Sequence, residues 1–166
     1  MREIKFRAKK EVLTERNKGY TDGWIYSDCL FKCDDGVFLI PDGVSSESYY
    51  RGPYDFRANS DRYEIMVAKV IPETLGQYTG LKDKNDMEIY EGDIVKLYDK
   101  ISKVEWTAVV EFGNPNGEYV WGWNLKPLED VAINTDILLW VEMEDGGAYC
   151  EIIGNIWDNP EMLGEK

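Results

Sequence analysis

Apolar and polar residues alternate with a period of two along much of the chain, which predicts a protein built mainly of β-strands. At the N-terminus, for example, Ile4, Phe6 and Ala8 alternate with Lys5 and Arg7. This alternation predicts a strand with one buried face. Over the whole chain, the pattern predicts about nine short strands and little helix.

Two stretches have the pattern of a β-hairpin. In the first, apolar residues 24–31 and 37–40 flank a polar turn that contains Asp35-Gly36, a favoured hairpin pair. In the second, alternating residues 104–112 and the aromatic run 119–125 flank the turn 113–117, which is rich in glycine and asparagine. Both patterns predict antiparallel pairs with a short connection.

Other segments are assigned one by one. We expect strands at 93–98 and 149–157, a further apolar run at 137–143 and a final helical turn that begins at Pro160. Residues 63–71 fit either a strand or a short helix, and residues 42–62 form a long loop rich in tyrosine. The fold class that follows is mainly β, antiparallel and barrel-like, because many short twisted strands close or pack on themselves.

The domain prediction is a single domain over residues 1–166. It has an N-terminal β part at about 1–72 and a C-terminal barrel-like part at about 73–166. The run from Tyr90 to Val95 resembles the entry strand of small SH3-like barrels, so an SH3-like core is expected in the second part.

Composition excludes several kinds of chemistry. The chain of 166 residues has a formal net charge of −13 and no histidine. Without histidine, Ser-His-Asp and Cys-His catalysis and histidine-ligated zinc or haem are excluded. Cys29, Cys33 and Cys150 are an odd set without zinc-knuckle spacing, so we expect free thiols, no metal and no cofactor.

Charge and aromatic residues suggest where contacts are made. Residues 1–100 carry a net charge of −3 and residues 101–166 a net charge of −10, and five of the six tryptophans lie in the acidic part. A phosphate backbone would be repelled there, so direct nucleic-acid binding is not expected. Trp121 and Trp123 point to one face of a strand. The candidate interaction surface is Tyr49, Tyr50, Tyr54, Trp121 and Trp123.

Location in the cell is predicted from two features. The N-terminus is charged and lacks the apolar core of a signal peptide. No apolar run approaches the roughly 18–20 residues needed to cross a bilayer. We therefore expect a cytoplasmic protein without membrane contact.

Three stretches resemble the YopX family of phage and prophage proteins. They are the N-terminal run 1–8, the central motif 77–95 and the C-terminal signature 153–161. The central motif supplies the predicted turn residues, which are Gly80, Asn85, Glu91, Gly92 and Asp93. The chain departs from the family pattern at Lys9-Lys10, usually Trp-Asp, and at Asp86, where the central turn usually has glycine.

The resemblance implies a phage-encoded, mainly β, oligomeric protein of the host cytoplasm, with no established activity. The leading hypothesis is a non-enzymatic accessory protein that acts through contacts with a host or phage protein and forms a homo-oligomer. A second hypothesis is an acidic mimic of nucleic acid that inhibits a DNA- or RNA-binding enzyme. A third is a carboxylate-dependent, metal-assisted hydrolase, since carboxylate pairs such as Glu91 with Asp93 are frequent.

Overall fold

The structure is a computed structural model that describes residues 3–11, 23–40, 67–114, 121–131, 133–142 and 147–164. These residues form antiparallel strands with one short α-helix, α1 (Ile137–Glu142), and two single turns of 3-10 helix, Pro72–Thr74 and Pro160–Leu163. The strands are β1 (Phe6–Lys9), β2 (Trp24–Ser27), β3 (Leu30–Cys33), β4 (Gly36–Leu39), β5 (Ala68–Val70), β6 (Gly76–Lys82), β7 (Glu88–Tyr90), β8 (Asp93–Asp99), β9 (Val104–Gly113), β10 (Gly122–Pro127) and β11 (Ala148–Asn155). The predicted mainly β, antiparallel fold class is confirmed.

The chain separates into two compact units, Glu3–Gln77 and Tyr78–Lys166. In the N-terminal unit, β1 pairs along its length with β2 and, at Phe6 and Arg7, with the first two residues of β6. A second sheet has the order β3-β4-β5. The first predicted hairpin is confirmed as β3–β4, with its turn at Asp34-Asp35.

The core of the N-terminal unit combines residues from three strands, β1, β4 and β5. Ala8, Val37, Leu39 and Val70 are buried together, with partly buried apolar side chains packed around them. Ala8 lies between Arg7 and Lys9 on β1, so its side chain points to the opposite face of the strand from theirs. The predicted strand is present over Phe6–Lys9, but the predicted single buried face is wrong, since Arg7 is buried on the opposite face from Ala8 and Ile4 is exposed.

The C-terminal unit is built on a sheet of order β10-β9-β8-β11, and the later part of β6 pairs with β7. The second predicted hairpin is confirmed, since β9 and β10 pair from Gly113↔Gly122 to Ala108↔Pro127. Alternate residues of the strands in this sheet form one apolar core face, and the central strands also bury Ile94 and Val109 on the opposite face. The core face includes Val95, Leu97, Ala108, Val110, Leu125 and Cys150.

The apolar run 137–143 is helical over Ile137–Glu142. Ile137 and Trp140 are buried whereas Leu138 and Leu139 are exposed, which is the spacing of one helical face. Trp140 packs edge to face on Trp106, with ring centroids 5.5 Å apart. The run therefore covers the core with a helical turn.

The sheets described here are open, since their strand orders do not close on themselves. In the described part of the chain, no helix is long and apolar enough to span a membrane. Residues 41–66, which include the predicted tyrosine-rich loop, lie outside the described residues.

Candidate functional site

Asp83 organises the turn of the central motif. Its Oδ1 accepts N–H bonds from Asn85 and Met87 at 2.8 and 3.0 Å, and its Oδ2 accepts the N–H of Ile152 at 3.0 Å. The neighbouring Lys84 N–H donates to the carbonyl of Cys150 at 2.9 Å. The turn is therefore bonded to the outer edge of β11, which would otherwise present unpaired backbone groups.

Asp86 takes the left-handed conformation that the turn requires. Its φ is +65°, in the region where glycine is favoured and aspartate is tolerated. The Asp86 carboxylate forms an exposed ion pair with Lys82 at 2.8 Å. The departure from the family pattern at this position therefore keeps the turn, and the predicted turn residue Asn85 lies within it, with its N–H bonded to Asp83.

Gly92 lies where the central motif meets the C-terminal signature. Its φ is +81°, and a Cβ built there would overlap the ring of Trp157. The Gly92 N–H donates to the carbonyl of Val110 at 2.9 Å, and its carbonyl accepts the N–H of Ile156 at 3.0 Å. Only glycine fits between these backbone contacts and the indole.

The remaining predicted motif residues lie in β6 (Gly80), in the turn before β8 (Glu91) and at the start of β8 (Asp93). Asp93 is buried at the start of β8, and its Oδ2 accepts the N–H of Tyr90 at 2.8 Å. Glu91 is partly buried between these two residues. Gly80 lies in β6 with a φ of +86°, where the register between β6 and β7 shifts. The structure thus places the turn of the central motif along the edge of β11, and Gly92 and Asp93 at the start of β8.

These contacts define what the motif does chemically. Both carboxylate oxygens of Asp83 accept backbone hydrogen bonds, so they stabilise the turn. Among the described residues, no group of three His, Cys, Asp or Glu side chains could hold a metal ion. The geometry of the motif is that of a folding element that closes a strand edge.

The outer face of the C-terminal sheet carries paired charges. Lys84 lies 2.7 Å from Glu151 and 4.2 Å from the ring centroid of Tyr149. Its hydrogen bond to Glu151 raises the pKa of Lys84 and lowers the pKa of Glu151. Lys96 pairs with Glu105 at 2.6 Å, and this hydrogen bond raises the pKa of Lys96. These partly exposed ion pairs each contribute little to stability.

Cys29, Cys33 and Cys150 all lie in the described part of the chain, and all three are free thiols. Cys29 immediately precedes β3 and Cys33 is its last residue, so an extended chain places them roughly 13 Å apart, beyond the reach of a disulfide. Burial, followed by the nearby charges of Asp83 and Asp93, raises the pKa of Cys150 to about 12. A protonated, buried thiol is a weak nucleophile.

An exposed aromatic patch, formed by Phe112, Trp121 and Trp123, lies at the end of the β9–β10 hairpin. Trp121 is 70% exposed and Phe112 is 52% exposed. The ring of Phe112 lies 5.0 Å from the ring of Trp123 and 6.5 Å from that of Trp121, measured between centroids. These three side chains form one continuous aromatic surface.

Strand alternation explains why the aromatic patch is apolar. Phe112 follows the fully buried Val110 by two positions, and Trp123 precedes the buried Leu125 by two positions. All four side chains therefore belong to the core face of the sheet. The apolar face continues beyond the core, and its last residues are exposed.

The structure describes only two of the five predicted interaction residues. Trp121 and Trp123 lie together in the aromatic patch, and Tyr49, Tyr50 and Tyr54 lie outside the described residues. Phe112 was missing from the predicted surface. The predicted hairpin already contained the signal, because its register pairs Phe112 directly with Trp123.

The described structure is that of a mainly β protein with two compact units, a structural central turn and an exposed aromatic patch. A family model for the YopX protein matches residues 5–164, and the chain therefore belongs to the YopX family. This confirms the resemblance inferred from its three motifs. Comparison with curated proteins gives no match.

One solved structure that matches is the crystal structure of protein EF1440 from Enterococcus faecalis. It is 23% identical to this chain, and the alignment covers 96% of this chain and 97% of that one, with a TM-score of 0.37.

Proposed function

We propose that this protein is a non-enzymatic, phage-encoded accessory protein that acts by binding another protein through the aromatic patch. The observation that supports this function is the exposure of Trp121 and Phe112 beside Trp123. Contiguous exposed aromatic rings are unusual on a surface without a partner. Tryptophan is also the residue type most enriched among energetically dominant interface residues.

The carboxylates of the central motif support a non-enzymatic role. Asp83 and Asp93 are buried and accept hydrogen bonds from backbone N–H groups. A carboxylate held in this way stabilises the fold and has its oxygens directed away from solvent. The proposed function is therefore protein binding by the side chains of the aromatic patch, without chemistry at the carboxylates.

The experiment is affinity capture from a bacterial lysate with three forms of the chain: wild type, Trp121→Ala and Ile101→Ala. Ile101 is a matched control because it is 84% exposed and lies in the same unit. We expect wild type and Ile101→Ala to capture the same protein and Trp121→Ala to capture at least about tenfold less. Equal capture by Trp121→Ala would exclude the aromatic patch as the contact surface.

Charge favours a second candidate function, a mimic of nucleic acid. Residues 78–166 contain 7 basic and 19 acidic residues, a net charge of −12, whereas residues 3–77 contain 11 and 13, a net charge of −2. Glu129, Asp130 and Asp136 are exposed in this acidic unit. A mimic would release its captured partner when excess duplex or single-stranded nucleic acid is added. Retention of the partner would exclude mimicry.

Self-association of the chain stays a prediction. Unpaired strand edges favour assembly between copies of a chain. In the C-terminal sheet this effect is weakened, because β11 is bonded to the central turn and the N–H of Leu125 in β10 donates to the carbonyl of Thr135 at 2.8 Å. Light scattering over a range of concentrations tests it. A species of 19.2 kDa at every concentration would contradict a homo-oligomer.

A further inference from the structure

The exposed rings of the aromatic patch are available to a partner. Trp121 immediately precedes β10, and its side chain is 70% exposed. The faces of aromatic rings carry a negative quadrupole, which attracts a cation placed over them. Indole attracts cations more strongly than phenol or phenyl rings do.

The negative charge of the C-terminal unit favours a partner of positive charge. Residues 78–166 have a net charge of −12. This charge repels acidic proteins and a second copy of the same unit, and it accelerates the approach of a basic partner. The described cation nearest in sequence, Lys126, pairs with Glu111 at 3.2 Å. Both side chains lie on the opposite face of the sheet from Trp123, since they alternate with the core-facing positions.

The chain uses the same chemistry at two other aromatic rings. The guanidinium carbon of Arg7 lies 4.7 Å from the ring centroid of Trp24, and the ammonium of Lys84 lies 4.2 Å from that of Tyr149. Both distances are within the roughly 6 Å at which a cation–π contact is effective. Rings and cations of these types thus pair within this protein when they meet.

The geometry points to a segment rich in arginine, on a partner protein, as the occupant of the aromatic patch, with a guanidinium over the indole of Trp121. This inference rests on the proposed function, because it names the chemistry of the partner at the same surface. Arginine is favoured over lysine since its planar guanidinium stacks on an aromatic face and is more weakly hydrated. The neighbouring Phe112 ring provides apolar contact for the aliphatic part of the side chain.

The probes are three eight-residue peptides in which glycine alternates with arginine, with citrulline or with leucine. Citrulline has nearly the shape of arginine without its charge, and leucine supplies apolar area alone. Binding to the wild-type protein is measured by fluorescence anisotropy of labelled peptide and by the indole N–H resonance of Trp121. We expect the arginine peptide to bind roughly 5- to 30-fold more tightly than the citrulline peptide and to shift that resonance.

Protein variants separate a cation–π contact from apolar burial and from long-range attraction. Trp121→Phe retains an aromatic face, whereas Trp121→Leu retains apolar area only. We expect Trp121→Phe to keep most of the preference for arginine over citrulline and Trp121→Leu to lose it. Ile101→Ala serves as the control and should bind like wild type. Arginine-peptide binding that is the same in Trp121→Leu as in wild type would overturn the inference.

The remaining outcomes distinguish this inference from the proposed function. Tighter binding of the leucine peptide, lost in Trp121→Ala, would overturn the arginine partner and leave the aromatic patch as a protein contact. A dimer of the protein that Trp121→Ala dissociates would also overturn it, because a second copy would then occupy the patch. Absence of peptide binding together with lysate capture that is independent of Trp121 would overturn both.

Discussion

Replacement of Asp83 tests how the C-terminal unit is held together. Its carboxylate accepts three backbone hydrogen bonds, from Asn85, Met87 and Ile152, and the residue is only 7% exposed. A hydrogen bond to a charged group contributes about 1.5–3 kcal/mol, and bonds to one group are lost together and do not simply add. Asp83→Ala should therefore lower the free energy of unfolding by about 3–5 kcal/mol.

Asp83→Asn distinguishes the contribution of Asp83 to the turn from its contribution to the edge of β11. An amide has one acceptor oxygen, which can keep the bonds from Asn85 and Met87. Its NH2 group then faces the N–H of Ile152, so two donors oppose each other. We expect a loss of about 2–3 kcal/mol, measured by urea unfolding followed by tryptophan fluorescence. Hydrogen exchange of the Ile152 amide should accelerate more than that of Met87.

Asp86→Asn is the matched control. Its carboxylate is in the same turn, but its side chain is 83% exposed and forms only a surface ion pair with Lys82. Such pairs contribute about 0–1 kcal/mol, so the control should unfold close to wild type. If Asp83→Asn also unfolds within about 0.5 kcal/mol of wild type, with unchanged protection at Ile152, the carboxylate does not hold the edge.

Three further substitutions test the motif and the core. Gly92→Ala would place a methyl group inside the ring of Trp157 and force alanine to a φ of +81°, so urea unfolding should show a loss of about 2–4 kcal/mol; an unchanged midpoint would contradict this. Asp86→Gly removes the cost of a left-handed aspartate and a weak ion pair, so the same assay should show a gain of about 0.5 kcal/mol, and a loss would refute the assignment of strain. The pKa of the Cys150 thiol is raised to about 12 in the folded protein, whereas the unfolded thiol has its ordinary pKa of 9.0, so stability should fall between these pH values by at most about 1.4 kcal/mol per pH unit. Cys150→Ala should show a shallower alkaline decline, and an identical slope would contradict the raised pKa.

Much of the fold was predictable because alternation and turn chemistry are local. The β9–β10 hairpin followed from the period-two pattern around a turn rich in glycine and asparagine. The helix at Ile137–Glu142 was harder to predict from the sequence. Residues 137–141 are all apolar, so the sequence alone does not show that Ile137 and Trp140 are buried whereas Leu138 is exposed.

The site was predictable in part, for the same physical reason. The spacing of two residues predicts that Trp121 and Trp123 share one face, but the membership of Phe112 requires the cross-strand register. The role of Asp83 depends on Ile152, which is 69 residues away in sequence. No local pattern contains such a contact, so the motif could be placed at a turn without its partner being identified.

The separation of Asp83 and Ile152 has a consequence for biosynthesis. At roughly 5–20 residues per second, a ribosome needs about 3–14 s to add the 69 residues that follow Asp83 up to and including Ile152. Until β11 has been synthesised, the Asp83 carboxylate lacks the hydrogen bond from Ile152, and β8 is paired only with β9. Contacts of such long range also form slowly in folding. The nascent chain therefore exposes the edge of β8 until the C-terminus is made, and a chain truncated before β11 should be captured by chaperones or aggregate.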